Sequence, residues 1–121
     1  MKIAVIGAGY VGLVTAACFS EFGFQVTCID RDKGKIKNLK KNIIPIYEPG
    51  LTDLVKKNND SNYLSFSTNI SDVIEAKVIL IAVGTPTARR GNGEADLKYV
   101  YEVCKELSVL LKKGKPKLII T

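Results

Sequence analysis

Met1-Lys2-Ile3-Ala4-Val5-Ile6-Gly7-Ala8-Gly9-Tyr10-Val11-Gly12 opens the chain and decides how it folds. Residues 3–6 form an apolar run of strand length that leads without a spacer into Gly-x-Gly-x-x-Gly, and from Tyr10 the apolar residues change to helical spacing. A second strand-like run, Val26-Thr27-Cys28-Ile29, ends on Asp30. Strand, glycine turn, helix, strand and acid, in that order, make the βαβ unit that holds a dinucleotide. Gly7 permits the tight turn out of the strand, Gly9 lets backbone amides come close to a pyrophosphate, and Gly12 lets the helix lie against the sheet. The helix start supplies free amide donors and the positive end of a dipole. Asp30 is placed to accept hydrogen bonds from both ribose hydroxyls of the adenosine. A 2′-phosphate beside that carboxylate would meet a like charge, costing about 4 kcal/mol at ~4 Å with an effective dielectric near 20. NAD is therefore expected over NADP. Arg31 argues the other way, because an arginine near the acid accommodates the phosphate in NADP-binding proteins of this fold. Plain solvent exposure is the alternative reading for Arg31 and for Lys35.

Bulk properties set modest limits. The 121 residues, 46% hydrophobic, suffice for one domain with a real core and are too few for two. The longest apolar stretches, such as residues 78–83, are strand-sized, so no membrane span is expected. The chain begins as a strand rather than a leader, and a cytoplasmic location is the expectation. Cys18, Cys28 and Cys104 are odd in number and lie in apolar patterns, which reads as buried free thiols in a reducing compartment. Metal-ligand spacing is absent, so no metal site is expected, and with no histidine there is no Ser-His or Cys-His machinery. The net charge of +6 is dispersed over Lys33, Lys35, Lys37, Lys40 and Lys41 and around Lys112 to Lys117, which reads as solvated helix faces and turns. Neither a recognition motif nor aromatic interleaving accompanies it, so no nucleic-acid partner is expected.

Strand and helix patterns then alternate, which predicts an α/β fold: a Rossmann-like, doubly wound parallel sheet of about five strands in the order 3-2-1-4-5. Strands are predicted at about 2–6, 25–29, 63–67, 78–83 and 118–120, the fourth a continuous apolar run fit for a sheet centre. Helices are predicted at 10–22, closed by Gly23, at 32–41 from an Asp32 cap, at 50–58, and at 70–75 after Thr68 or Asn69. The last, 96–111, repeats Leu97, Val100, Tyr101, Cys104, Leu107 and Leu111 at threes and fours, so that face is expected on the sheet. Because the chain stops at strand five, 1–121 is expected to be a partial dinucleotide-binding domain, the N-terminal part of a longer protein.

Four segments carry a family resemblance. They are Ile6-Gly7-Ala8-Gly9-Tyr10-Val11-Gly12-Leu13, Val26-Thr27-Cys28-Ile29-Asp30 with Asp32 and Lys35, Pro45-Ile46-Tyr47-Glu48-Pro49-Gly50-Leu51, and Ala82-Val83-Gly84-Thr85-Pro86-Thr87 followed by Ala95-Asp96-Leu97. Together they resemble the N-terminal domain of the UDP-glucose/GDP-mannose dehydrogenase family over essentially the whole chain. The resemblance implies oxidation of the C6 alcohol of a nucleotide sugar such as UDP-glucose to a carboxylate, with two NAD molecules in succession. By the same resemblance, Gly7, Gly9, Tyr10, Val11 and Gly12 hold the pyrophosphate, Asp30 and Lys35 the adenosine ribose, and Thr85 the cofactor nearer its nicotinamide. Thr85-Pro86 alternatively reads as an ordinary strand-ending turn. Tyr47 and Glu48 either meet substrate or a second domain, or belong to a rigid connection to the next helix. The family's catalytic cysteine lies in a later domain, and none of the three cysteines here matches its motif, so no catalytic residue is expected in 1–121. The chain alone is expected to bind NAD weakly and oxidise nothing, and the full-length protein to be a homodimer or higher. The cofactor domain of a dehydrogenase for another nucleotide sugar, of another Rossmann dehydrogenase, or a non-catalytic dinucleotide-binding module, remains the alternative.

Overall fold

The computed structural model describes residues 1–84, 97–111 and 117–121. In chain order the elements are β1 (Lys2–Ile6), α1 (Tyr10–Glu21), β2 (Gln25–Ile29), α2 (Lys33–Lys40), α3 (Leu51–Asp60), β3 (Leu64–Ser67), a 3-10 helix (Ile70–Glu75), β4 (Val78–Ile81), α4 (Lys98–Leu110) and β5 (Leu118–Ile120). The strands form one parallel sheet in the order β3-β2-β1-β4-β5, as the sequence predicts.

β1 lies at the centre because it can be buried on both faces. Ile3, Ala4, Val5 and Ile6 are each at most 4% exposed, as a central parallel strand requires. Alternation along the strand divides these residues between two cores. Ile3 and Val5 pack with Leu13, Ala16, Cys28 and Leu39 beneath α1, α2 and α3. Ala4 and Ile6 pack with Ile29, Val73, Ile79 and Val103 beneath the 3-10 helix and α4. Register brings Ile6 opposite both Ile29 and Ile81, so three strands end level. The segments leaving β1 and β2, and residues 82–84 after β4, therefore start from one edge, and the chain's reversal of direction through the sheet falls between β1 and β4.

Local signals end and start the helices as expected. Gly23 takes φ +100° just beyond α1, Asp32 caps α2 by accepting from the Lys35 amide at 3.0 Å, and Asn69 rather than Thr68 caps the 3-10 helix, accepting from the Ser71 amide. β4 closes at Ile81 rather than Val83, although the Ala82 amide still donates to the Ile6 carbonyl at 2.8 Å.

Two expectations need correction. α4 docks through Val103 and Leu107, with Tyr99 and Leu110 beside them, while Leu97 and Tyr101 face solvent. Apolar residues cover so wide an arc of this helix that spacing alone does not centre the face; contact with Ile6, Val73 and Ile79 does. The same rotation leaves Cys104 exposed and Cys18 is half-buried, so only Cys28 is a fully buried thiol. Cys104, Leu107 and Leu111 instead line an apolar groove of about 340 Å³ with Ile81 and Ile119.

Candidate cofactor-binding site

The glycine turn lies at the level strand ends, and its three glycines are there for different reasons. Gly7 has φ +108°, a conformation L side chains rarely adopt, and a Cβ there would stand 2.4 Å from the Ala82 carbonyl oxygen of β4's extension. At Gly12 a Cβ would be 1.8 Å from the Gly7 carbonyl oxygen, so this glycine lets α1 rest on the turn. Gly9 is different: its φ of −78° suits any residue, and a Cβ there meets nothing within 4 Å. Neither strain nor packing asks for glycine at that position. It is the N-cap of α1 and brings no side-chain cap. The first turn of α1, starting with Tyr10 and Val11, thus has amide donors without intrahelical acceptors and contains no acidic residue of its own. A group with anionic oxygens that must come close to backbone fits this arrangement.

Asp30 lies 9% exposed at the end of β2. Its Oδ2 accepts from the Ala8 amide at 2.9 Å and its Oδ1 from the Asp32 amide at 2.9 Å. The carboxylate therefore clamps the glycine turn to the end of β2, and each oxygen retains a further lone pair for a hydroxyl donor. Lys35, in the first turn of α2, puts its ammonium 3.7 Å from Asp30 Oδ2 while a third of its side chain stays exposed. Beneath the turn, the Cys28 thiol donates to the Gly7 carbonyl at 3.9 Å. Burial first, and the Asp30 charge second, push this thiol up to about 12, so it is neutral and inert as a nucleophile at neutral pH.

Sequence reasoning missed three contacts around the turn. One is the Ala8–Asp30 bond, which the spacing of the motif contains but does not announce. Another is the Tyr10 hydroxyl donating to Glu48 Oε2 at 2.8 Å, a bond that raises the Tyr10 phenol. It ties the Pro45–Leu51 segment to the start of α1. Ile44 and Ile46 pack on the core and Leu51 is buried, so that segment is an anchored connection, with Tyr47 94% exposed. The third holds Arg31, whose guanidinium lies 3.8 Å from the centroid of the Tyr99 ring and 3.6 Å from Glu102. Of the expected site residues, Gly7, Gly9, Tyr10, Val11, Gly12, Asp30 and Lys35 converge on one edge of the sheet. Thr85, with Pro86, Arg89 and Arg90, lies outside the described residues. Among the described residues no cluster of three or more His, Cys, Asp or Glu could hold a metal ion, and no helix is long and apolar enough to cross a membrane.

A doubly wound sheet with this turn and acid at its switch point defines the class: a dinucleotide-binding Rossmann domain of dehydrogenase type. The sequence model of the UDP-glucose/GDP-mannose dehydrogenase family, NAD binding domain, matches residues 1–121, and the chain belongs to that family. It is 52% identical over 113 residues to a UDP-glucose 6-dehydrogenase of Rhizobium meliloti, a match covering 93% of this chain and 26% of that protein. The crystal structure of a ternary complex of GDP-mannose dehydrogenase from Pseudomonas aeruginosa superposes with a TM-score of 0.92 at 35% identity, over 98% of this chain and 27% of that one. A UDP-glucose dehydrogenase from Pyrobaculum islandicum gives a TM-score of 0.89 at 33% identity, over 98% and 27%. The chain spans about a quarter of the length of the relatives it matches. The matched family model is that of an NAD-binding domain, so the cofactor is NAD.

Proposed function

We propose that residues 1–121 are most of the NAD-binding domain of a UDP-glucose 6-dehydrogenase. Gly7, Gly9 and Gly12, with the Tyr10 and Val11 amides, hold the pyrophosphate; Asp30 and Lys35 hold the adenosine ribose; Thr85 contacts the cofactor nearer its nicotinamide. The observation that carries the binding reading is Gly9, a glycine with no strain or packing reason of its own, at the mouth of an uncapped helix. UDP-glucose is chosen on the 52% identity with the Rhizobium meliloti enzyme.

NAD, when bound, supplies a two-electron hydride acceptor. The residues of this chain bind and orient it: α1 directs amide donors and its dipole at the pyrophosphate, and Asp30 fixes the ribose through two hydroxyls. Lys35 limits the negative charge that the adenosine end meets. Converting an alcohol to a carboxylate removes four electrons, so each sugar consumes two NAD. The residues that carry the chemistry on the sugar lie outside 1–121.

The test is an assay of the full-length protein with NAD or NADP and with UDP-glucose or GDP-mannose, following reduced cofactor. The expected result is turnover with NAD and UDP-glucose at two reduced cofactors per sugar. Preferential turnover of GDP-mannose, or of NADP, would contradict the proposal.

A further inference from the structure

Arg31 follows the acid that selects against a 2′-phosphate, yet a guanidinium is the group best suited to bind one, through paired N–H donors. In the fold it is turned away from that task. Its guanidinium stacks on the ring of Tyr99, 3.8 Å from the centroid, and its Nη1 lies 3.6 Å from Glu102 Oε2. Tyr99 and Glu102 are three residues apart on α4, so they share a face and hold the guanidinium at once by ring and by charge. The Tyr99 ring is itself packed against the core of Ile6, Ile29 and Val103, which gives Arg31 a platform that does not swing freely. Lys35 behaves oppositely, with its ammonium 3.7 Å from Asp30 Oδ2. The two cations flanking Asp30 are thus divided, one toward the acid and one toward α4.

We propose that Tyr99 and Glu102 are specificity-determining residues that keep Arg31 engaged on α4, so that the 2′-phosphate of NADP meets the Asp30 carboxylate without a guanidinium to offset it. The inference rests on the reading that the adenosine ribose binds at Asp30. Discrimination between the two cofactors is then shared: Asp30 repels the phosphate, and α4 withholds the cation that would compensate. Each contact on Arg31 is partly exposed and modest, worth up to about fivefold in an equilibrium constant, and the pair together about tenfold.

The experiment is titration of NAD and of NADP, by calorimetry, into the wild-type protein, into Tyr99→Leu/Glu102→Gln, and into the same double variant carrying Arg31→Leu. The ratio of the two dissociation constants is expected to move about tenfold toward NADP in the double variant, and to return when Arg31 is removed. The single variant Glu102→Gln changes an exposed side chain, keeps the fold, and is expected to move the ratio about threefold. An unchanged ratio in both variants overturns the inference, as does a shift that persists without Arg31, which would show Glu102 acting through its own charge. Wild-type protein that binds neither dinucleotide would instead overturn the reading of the site itself.

Discussion

Both oxygens of Asp30 accept from backbone amides, Ala8 on one side and Asp32 on the other, each at 2.9 Å. The residue expected to select the cofactor therefore also fixes the shape of the turn. An asparagine in its place has one acceptor oxygen, and its amide nitrogen would have to face one of those N–H groups. Asp30→Asn is expected to destabilise the protein by about 1–3 kcal/mol, the cost of a buried donor left unpaired. Urea denaturation reads this as a lowered midpoint at unchanged slope, and an unshifted midpoint would show that the carboxylate does not hold the turn. Asp30 illustrates how far a single residue is legible. Its place after β2 is apparent from the strand pattern, but its bond to Ala8 spans 22 positions and leaves no periodic trace.

At the scale of elements, β1, α1 and β2 follow from the sequence almost residue for residue, because strand period, glycine stop and helix spacing all change at the same points. α4 shows what such patterns leave open. Its apolar residues fill an arc wider than the contact needed, and the sheet takes Val103 and Leu107 while Tyr101 and Cys104 turn outward. That rotation has a chemical consequence. Cys104 is exposed, whereas Cys28 is buried in β2 with its thiol raised to about 12. Because the thiolate is the reactive form, a thiol reagent at mildly alkaline pH is expected to label Cys104 first and Cys28 only as the protein unfolds. Peptide mapping checks the order, and labelling of Cys28 at the rate of Cys104 would mean that the β2 core opens readily.

For the whole molecule, the sheet order and the convergence of the candidate residues are both legible, since alternating strands and helices with a glycine turn and an acid leave few topologies open. The struts that brace the site were not. Tyr10 and Glu48 are 38 positions apart, and Arg31 meets α4 across half the chain, so only the folded sheet brings them together. The level ends of β1, β2 and β4 gather Gly9, Asp30 and Lys35 onto one edge, with two cores beneath to hold it rigid. The central claim is that this edge is shaped for a pyrophosphate, with Gly9 leaving the approach to α1 open. Gly9→Ala tests it most directly. Its backbone conformation is ordinary and its added Cβ meets nothing within 4 Å, so the thermal midpoint is expected to stay within about a degree or two. Titration of NAD into the variant is expected to show affinity lower by about tenfold or more, because the methyl group stands where the phosphates must reach the amides. A variant that binds NAD as tightly as the wild type would contradict the account.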